Sequence, residues 1–148
     1  MRFPILLAAA WLNVSVAAHA QDADNAELIG ELIAFHGSKV IVSAMTTHCY
    51  ETTGLDSAYK TAGENWYLRN IGFLDLADRV IARLGGAAEG QKLAAENYGG
   101  EQIMSAYNQA KDKDVFCRAF LEQVESGALD INTQLPDSLA KAQAIASE

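Results

Sequence analysis

Residues 73–86 read FLDLADRVIARLGG, and this stretch sets the fold class. Phe73, Leu74, Ala77, Val80, Ile81 and Leu84 recur at steps of three and four. That spacing places apolar side chains on one face of an α-helix, and Gly85-Gly86 supplies the stop. The same pattern extends both ways. Upstream, a helix from about Asn25 to Thr52 carries Leu28, Ile29, Leu32 and Ile33 on one face. Gly37 is expected to kink or interrupt it, and Gly54 to end it. The helix containing residues 73–84 starts near Asp56 or after Gly63 and ends at Leu84.

Downstream, a third helix is expected over Ala87 to Lys111, broken at Gly99-Gly100, with Ile103, Met104 and Tyr107 continuing its apolar face. A fourth covers about Asp112 to Glu125 with Phe116, Cys117, Phe120, Leu121 and Val124, and Gly127 fits its C-cap. A fifth starts at Pro136, a residue suited to a first helical turn, and runs to Ala146 on a mostly alanine face. Val40-Ile41-Val42 is β-branched, but its neighbours keep helical spacing. The expectation is an all-α protein, a small antiparallel bundle of four to five helices joined by short glycine-containing turns.

The first 20 residues read differently. Met1-Arg2 is basic, Ile5 to Ala18 is largely apolar, and Ala18-His19-Ala20 has the A-x-A form of a signal-peptide cleavage site. The apolar run of about 14 residues is too short to span a bilayer. No second stretch is expected to reach that length, and no cysteine follows the cleavage site to carry a lipid anchor. The mature chain is therefore expected to be residues 21–148, a single helical domain that is periplasmic or secreted and not membrane-inserted.

Removing residues 1–20 removes Arg2 and leaves 10 basic against 19 acidic side chains, a net charge near −9. Nucleic acid and anionic membrane surfaces, which both demand Lys/Arg patches, are poor partners for such a chain. Cys49 and Cys117 are the only two cysteines, each on an apolar helical stripe. In an oxidising compartment they are expected to join two helices through a core disulfide. In the loop-entropy description a bridge closing so long a loop constrains the unfolded chain by about 4 kcal/mol.

Catalytic signatures are missing. His36 and His48 stand twelve residues apart, about 120° around one helix, and so share no face. There is no H-E-x-x-H, C-x-x-C or C-x-x-C-H spacing and no G-x-S-x-G elbow. Asp112/Asp114 and Glu122/Glu125 fit helix starts and solvated faces, where a helix dipole or water accounts for them. Gly85-Gly86-Ala87-Ala88-Glu89-Gly90 lacks the Lys-Ser/Thr ending of a phosphate loop and reads as a helix–helix turn. No catalytic residue, metal or cofactor is assigned.

Thr46 to Asn70 stands out instead. Tyr50, Tyr59, Trp66 and Tyr67 are interleaved with Thr46, Thr47, Glu51, Thr52, Thr53 and Asp56, and Arg69 follows. Half-apolar aromatics among hydrogen-bonding groups suit a pocket or a protein-binding patch, or else a capped bundle end. His48, Tyr50, Tyr59, Trp66, Tyr67 and Arg69 are the candidate binding residues, with Arg69 the natural contact for an anion. Three functions are open. The first is a non-catalytic interaction protein (an accessory subunit, inhibitor, chaperone or adaptor) whose partner is another exported protein. The second is a small-ligand carrier or sensor, which demands a cavity near Trp66 and Tyr67. The third is an enzyme of unfamiliar type using His48 or Glu51.

Overall fold

A computed structural model describes residues 14–86 and 89–148. Residues 1–13 of the expected signal peptide, and the expected helix start at Ala87, lie outside the described residues. Six helices follow one another: α1 (Val14–Thr53), α2 (Asp56–Arg83), α3 (Glu89–Gln109), α4 (Lys113–Glu125), α5 (Ile131–Gln134) and α6 (Pro136–Ala146). No strand occurs among the described residues. The all-α bundle is as expected, with a one-turn helix, α5, added ahead of α6.

The turns fall where glycine permits a left-handed backbone. Gly54 (φ 70°), Gly85 (φ 79°) and Gly127 (φ 78°) follow α1, α2 and α4. Asp112 caps α4 by accepting a hydrogen bond from the Val115 amide at 3.0 Å. Lys113 closes the end of α3 by donating to the carbonyls of Tyr107, Asn108 and Ala110.

α1 is the central element, packed by α2, α3, α4 and α6. α2 returns antiparallel to it: Thr46 meets Gly63, His36 bonds Asp78, and Ile29 faces Gly86. α3 then runs parallel to α1, with Gly37 against Ala95 and Gly99, Val40 against Gly100, and Thr52 bonded to Tyr107. α4 to α6 descend along the α1–α2 pair. Arg69 of α2 reaches the Val124 carbonyl, Ser138 of α6 donates to Glu31, and Arg83 donates to the Ile145 carbonyl. The alanine-rich α6 is docked, with Leu139 and Ala142 buried. The core between these helices holds Leu32, Phe35, Val42, Met45, Tyr59, Trp66, Ala77, Val80, Ile81 and Val124.

Three expectations are corrected. Gly37 does not interrupt α1, and Gly99-Gly100 does not break α3. These glycines mark a helix crossing: a Cβ on Gly99 would sit 2.8 Å from the Gly37 carbonyl oxygen, and one on Gly37 3.2 Å from the Ala95 carbonyl oxygen. The absent side chains let two backbones touch, while each helix keeps its own hydrogen bonds. Third, α1 from Gln21 to Thr53 is long and apolar enough to cross a membrane by length and composition. Its Leu28, Leu32, Phe35, Val42 and Met45 are buried against the other helices, so that apolarity is used by the core.

The disulfide forms as expected. Cys49 and Cys117 are bonded, fully buried, and 5.3 Å apart at Cα, tying α1 to α4. Cys117→Ser should therefore destabilise the fold by about 2–5 kcal/mol, read as a fall in melting temperature that reductant reproduces in the wild type. The crossing gives a second prediction. Alanine normally improves a helix over glycine by about 0.5–1 kcal/mol. Gly72→Ala, at an exposed α2 position with nothing within 4 Å of the added methyl, should show that gain. Gly99→Ala should instead lose about 1–3 kcal/mol, because backbone atoms must give way; denaturant unfolding of both variants checks the sign.

Candidate functional site

The α3 crossing leaves part of the bundle open. Near its start α3 lies beside α2, where Lys92 pairs with Asp78 at 3.3 Å. Past the Gly37–Gly99 contact it moves to the α4 side, where the Tyr107 ring meets Phe116 edge-on at 5.9 Å. α3 therefore leaves uncovered the stretch of the α1–α2 seam beyond the crossing. A groove of about 820 Å³ runs there. Lys39, Val42, Ser43, Thr46, Thr47 and Tyr50 line it from α1, and Lys60, Gly63, Glu64, Trp66, Tyr67 and Leu68 from α2.

Its surface is more apolar than the composition of Thr46 to Asn70 implies. Thr46 donates to the Val42 carbonyl at 2.8 Å and Thr47 to the Ser43 carbonyl at 3.0 Å. Thr52 and Thr53 do the same to His48 and Cys49. These hydroxyls bond their own helix one turn back, and Thr52 also bonds Tyr107. Threonine on this face thus offers no free hydroxyl hydrogen, and Gly63 presents no side chain at all. Trp66 forms the floor at 1 % exposure, while Tyr50 and Tyr67 stand on the rim at 39 % and 43 %.

The six candidate residues divide. Tyr50, Trp66 and Tyr67 come together in the groove. His48 sits on the other side of α1, two residues and about 200° from Tyr50, with its ring 6.1 Å from Tyr107. Tyr59 is fully buried in the core, and its hydroxyl has no hydrogen-bond partner. Arg69 is engaged internally. Its Nε donates to Asp130 Oδ2 at 2.7 Å, and its Nη2 to Asp130 Oδ1 at 2.9 Å and to the Val124 carbonyl at 2.8 Å. The hydrogen bond to Asp130 raises the guanidinium pKa above the ordinary arginine value, so the group stays charged. Its fork is already filled, which is the geometry that would otherwise recognise an anion.

Two unforeseen residues complete that network. Buried Asn70 donates to the Trp66 carbonyl and to Asp130 Oδ1, and accepts from the Ile131 amide at 2.8 Å. Asp130 and Asn70 thereby fasten the segment between α4 and α5 onto α2. The indole N–H of Trp66 donates to the Leu129 carbonyl at 2.9 Å, so the groove floor is fixed from behind. Elsewhere, buried His36 is paired with Asp78 at 2.8 Å, and Lys92 joins the same carboxylate. Among the described residues no three His, Cys, Asp or Glu side chains converge as a metal site would require.

Tyr59 yields a test of the site's division into core and groove. A buried hydroxyl without a partner costs about 1–3 kcal/mol of desolvation. Tyr59→Phe removes only that oxygen and should raise stability by about 1 kcal/mol, measured by urea unfolding. Compared with known proteins, the chain matches no family model, no curated protein and no solved structure.

Proposed function

We propose that the protein is an exported, non-catalytic binding protein that holds an apolar ligand in the α1–α2 groove. The observation that carries this is the uncovered groove itself, floored by Trp66 at the position a carrier demands. Its volume of about 820 Å³ lies within the range of ligand sites, and its walls are mainly hydrocarbon with a few polar groups at the margins. The floor is rigid: Trp66 is held by the Leu129 carbonyl behind and by core packing at its sides. A preformed site spares a ligand the cost of ordering it. Export is supported by the A-x-A segment and by the buried disulfide, a bond that persists in oxidising compartments. A protein partner docking on the same groove is the alternative, favoured by Leu68, which stands 70 % exposed on its rim.

Ser43 offers a clean test. It lies exposed on the groove wall, and its hydroxyl bonds only the Val40 carbonyl, at 3.3 Å. A phenyl ring there fills the groove without entering the core. Dodecan-1-ol should raise the melting temperature of the wild type, since a ligand that binds only the folded state stabilises it. Ser43→Phe should keep its ligand-free melting temperature and lose the alcohol-induced rise. A wild type that shows no rise overturns the proposal.

A further inference from the structure

The groove carries charge at both ends of an apolar channel. Lys39 enters from α1 at the end nearer Leu68, and Lys60 from α2 at the end nearer Tyr50. Neither ammonium takes part in an ion pair among the described residues, and neither is held by a backbone carbonyl as Arg83 and Lys113 are. Both stand on one apolar groove of a mature chain whose net charge is near −9. The ends are not equivalent. Lys60 shares its end with Glu64, one turn along α2, while Lys39 has no carboxylate among the groove-lining residues. Among the groove-lining residues the one carboxylate thus stands nearer Lys60, and the Lys39 end is the more positive.

Resting on the proposed groove function, we infer that the ligand is a single-chain monoanionic amphiphile, a fatty-acid carboxylate. Its head group pairs with Lys39, and its chain lies over Trp66 toward Tyr50. The dimensions agree. Lys39 and Tyr50 are eleven residues apart on one helix, about 16 Å, which matches an extended chain of about a dozen carbons. The polarity agrees as well, because the Thr46 and Thr47 hydroxyls between those ends donate to carbonyls of α1 and leave no free donor for the chain to desolvate. A monoanion fits better than a phosphate. One ammonium without an arginine fork is a point charge, and Glu64 in the same groove would repel a second negative charge.

Titration calorimetry of the full mature protein with dodecanoate and with dodecan-1-ol, each below its aggregation threshold, separates the outcomes. The wild type is expected to bind dodecanoate about fivefold more tightly than the alcohol at low salt, the advantage of one partly exposed ion pair, and to lose that preference as salt rises. Lys39→Gln, which keeps most of the stem and removes the charge, should bring the ratio of the two affinities to one and remove its salt dependence. Equal affinities in the wild type, or a preference that survives Lys39→Gln, overturn the carboxylate inference while the groove function stands. If neither probe binds the wild type, both fall.

Discussion

The contact of Gly37 with Gly99 governs the rest of the architecture. Two helices whose side chains interdigitate stand 8–10 Å apart, and here a backbone carbonyl occupies the space where a Cβ would be. Such close approach fixes where α3 crosses α1. Before the crossing α3 reaches α2 through Lys92 and Asp78, and after it the Tyr107 ring meets Phe116 of α4, so α3 stays off the stretch of the α1–α2 seam where the groove lies. The groove is therefore a product of a glycine contact on another face of the same helix.

The same geometry explains the division of labour along α1. The side toward the descending α4–α6 segment provides Glu31 and Cys49, the side toward α3 provides Gly37 and Val40, and the groove side provides Lys39, Ser43, Thr47 and Tyr50. A helix this apolar meets the length and composition of a membrane span because it is packed on several sides at once. Trp66 belongs to two structures in a similar manner. Its ring closes the core and floors the groove, while its N–H reaches across to Leu129.

Features carried by local periodicity were legible in the sequence. The stripe from Phe73 to Leu84, the acidic start of the fourth helix at Asp112 and the stops at Gly54, Gly85 and Gly127 need only neighbouring residues to be recognised. Cys49 and Cys117 were legible because each sits on such a stripe and no third cysteine competes. Glycine inside a helix was misread, since its local meaning is weakness while its meaning here is a contact 62 residues away. Asp130 was invisible for the same reason: its partners Arg69 and Asn70 lie about 60 residues upstream. Tyr50, Trp66 and Tyr67 were found through their amphipathic rings. The apolar character of the groove was hidden, because back-bonding by Thr46 and Thr47 removes polarity that composition alone assigns to the surface.

The disulfide also has a mechanical meaning. It closes a covalent ring from Cys49 to Cys117, and that ring contains all of α2 and α3. Tension applied at the two ends of the chain passes from α1 through the sulfur atoms into α4 and bypasses the ring. Only the segments outside it, α1 before Cys49 and the chain after Cys117, bear load and can be peeled away. Gly37 and the Lys39–Ser43 wall lie on the loaded side, while Trp66 and Tyr67 lie on the shielded one. Pulling would thus strip one wall from the groove while leaving the opposite wall inside an unstretched loop.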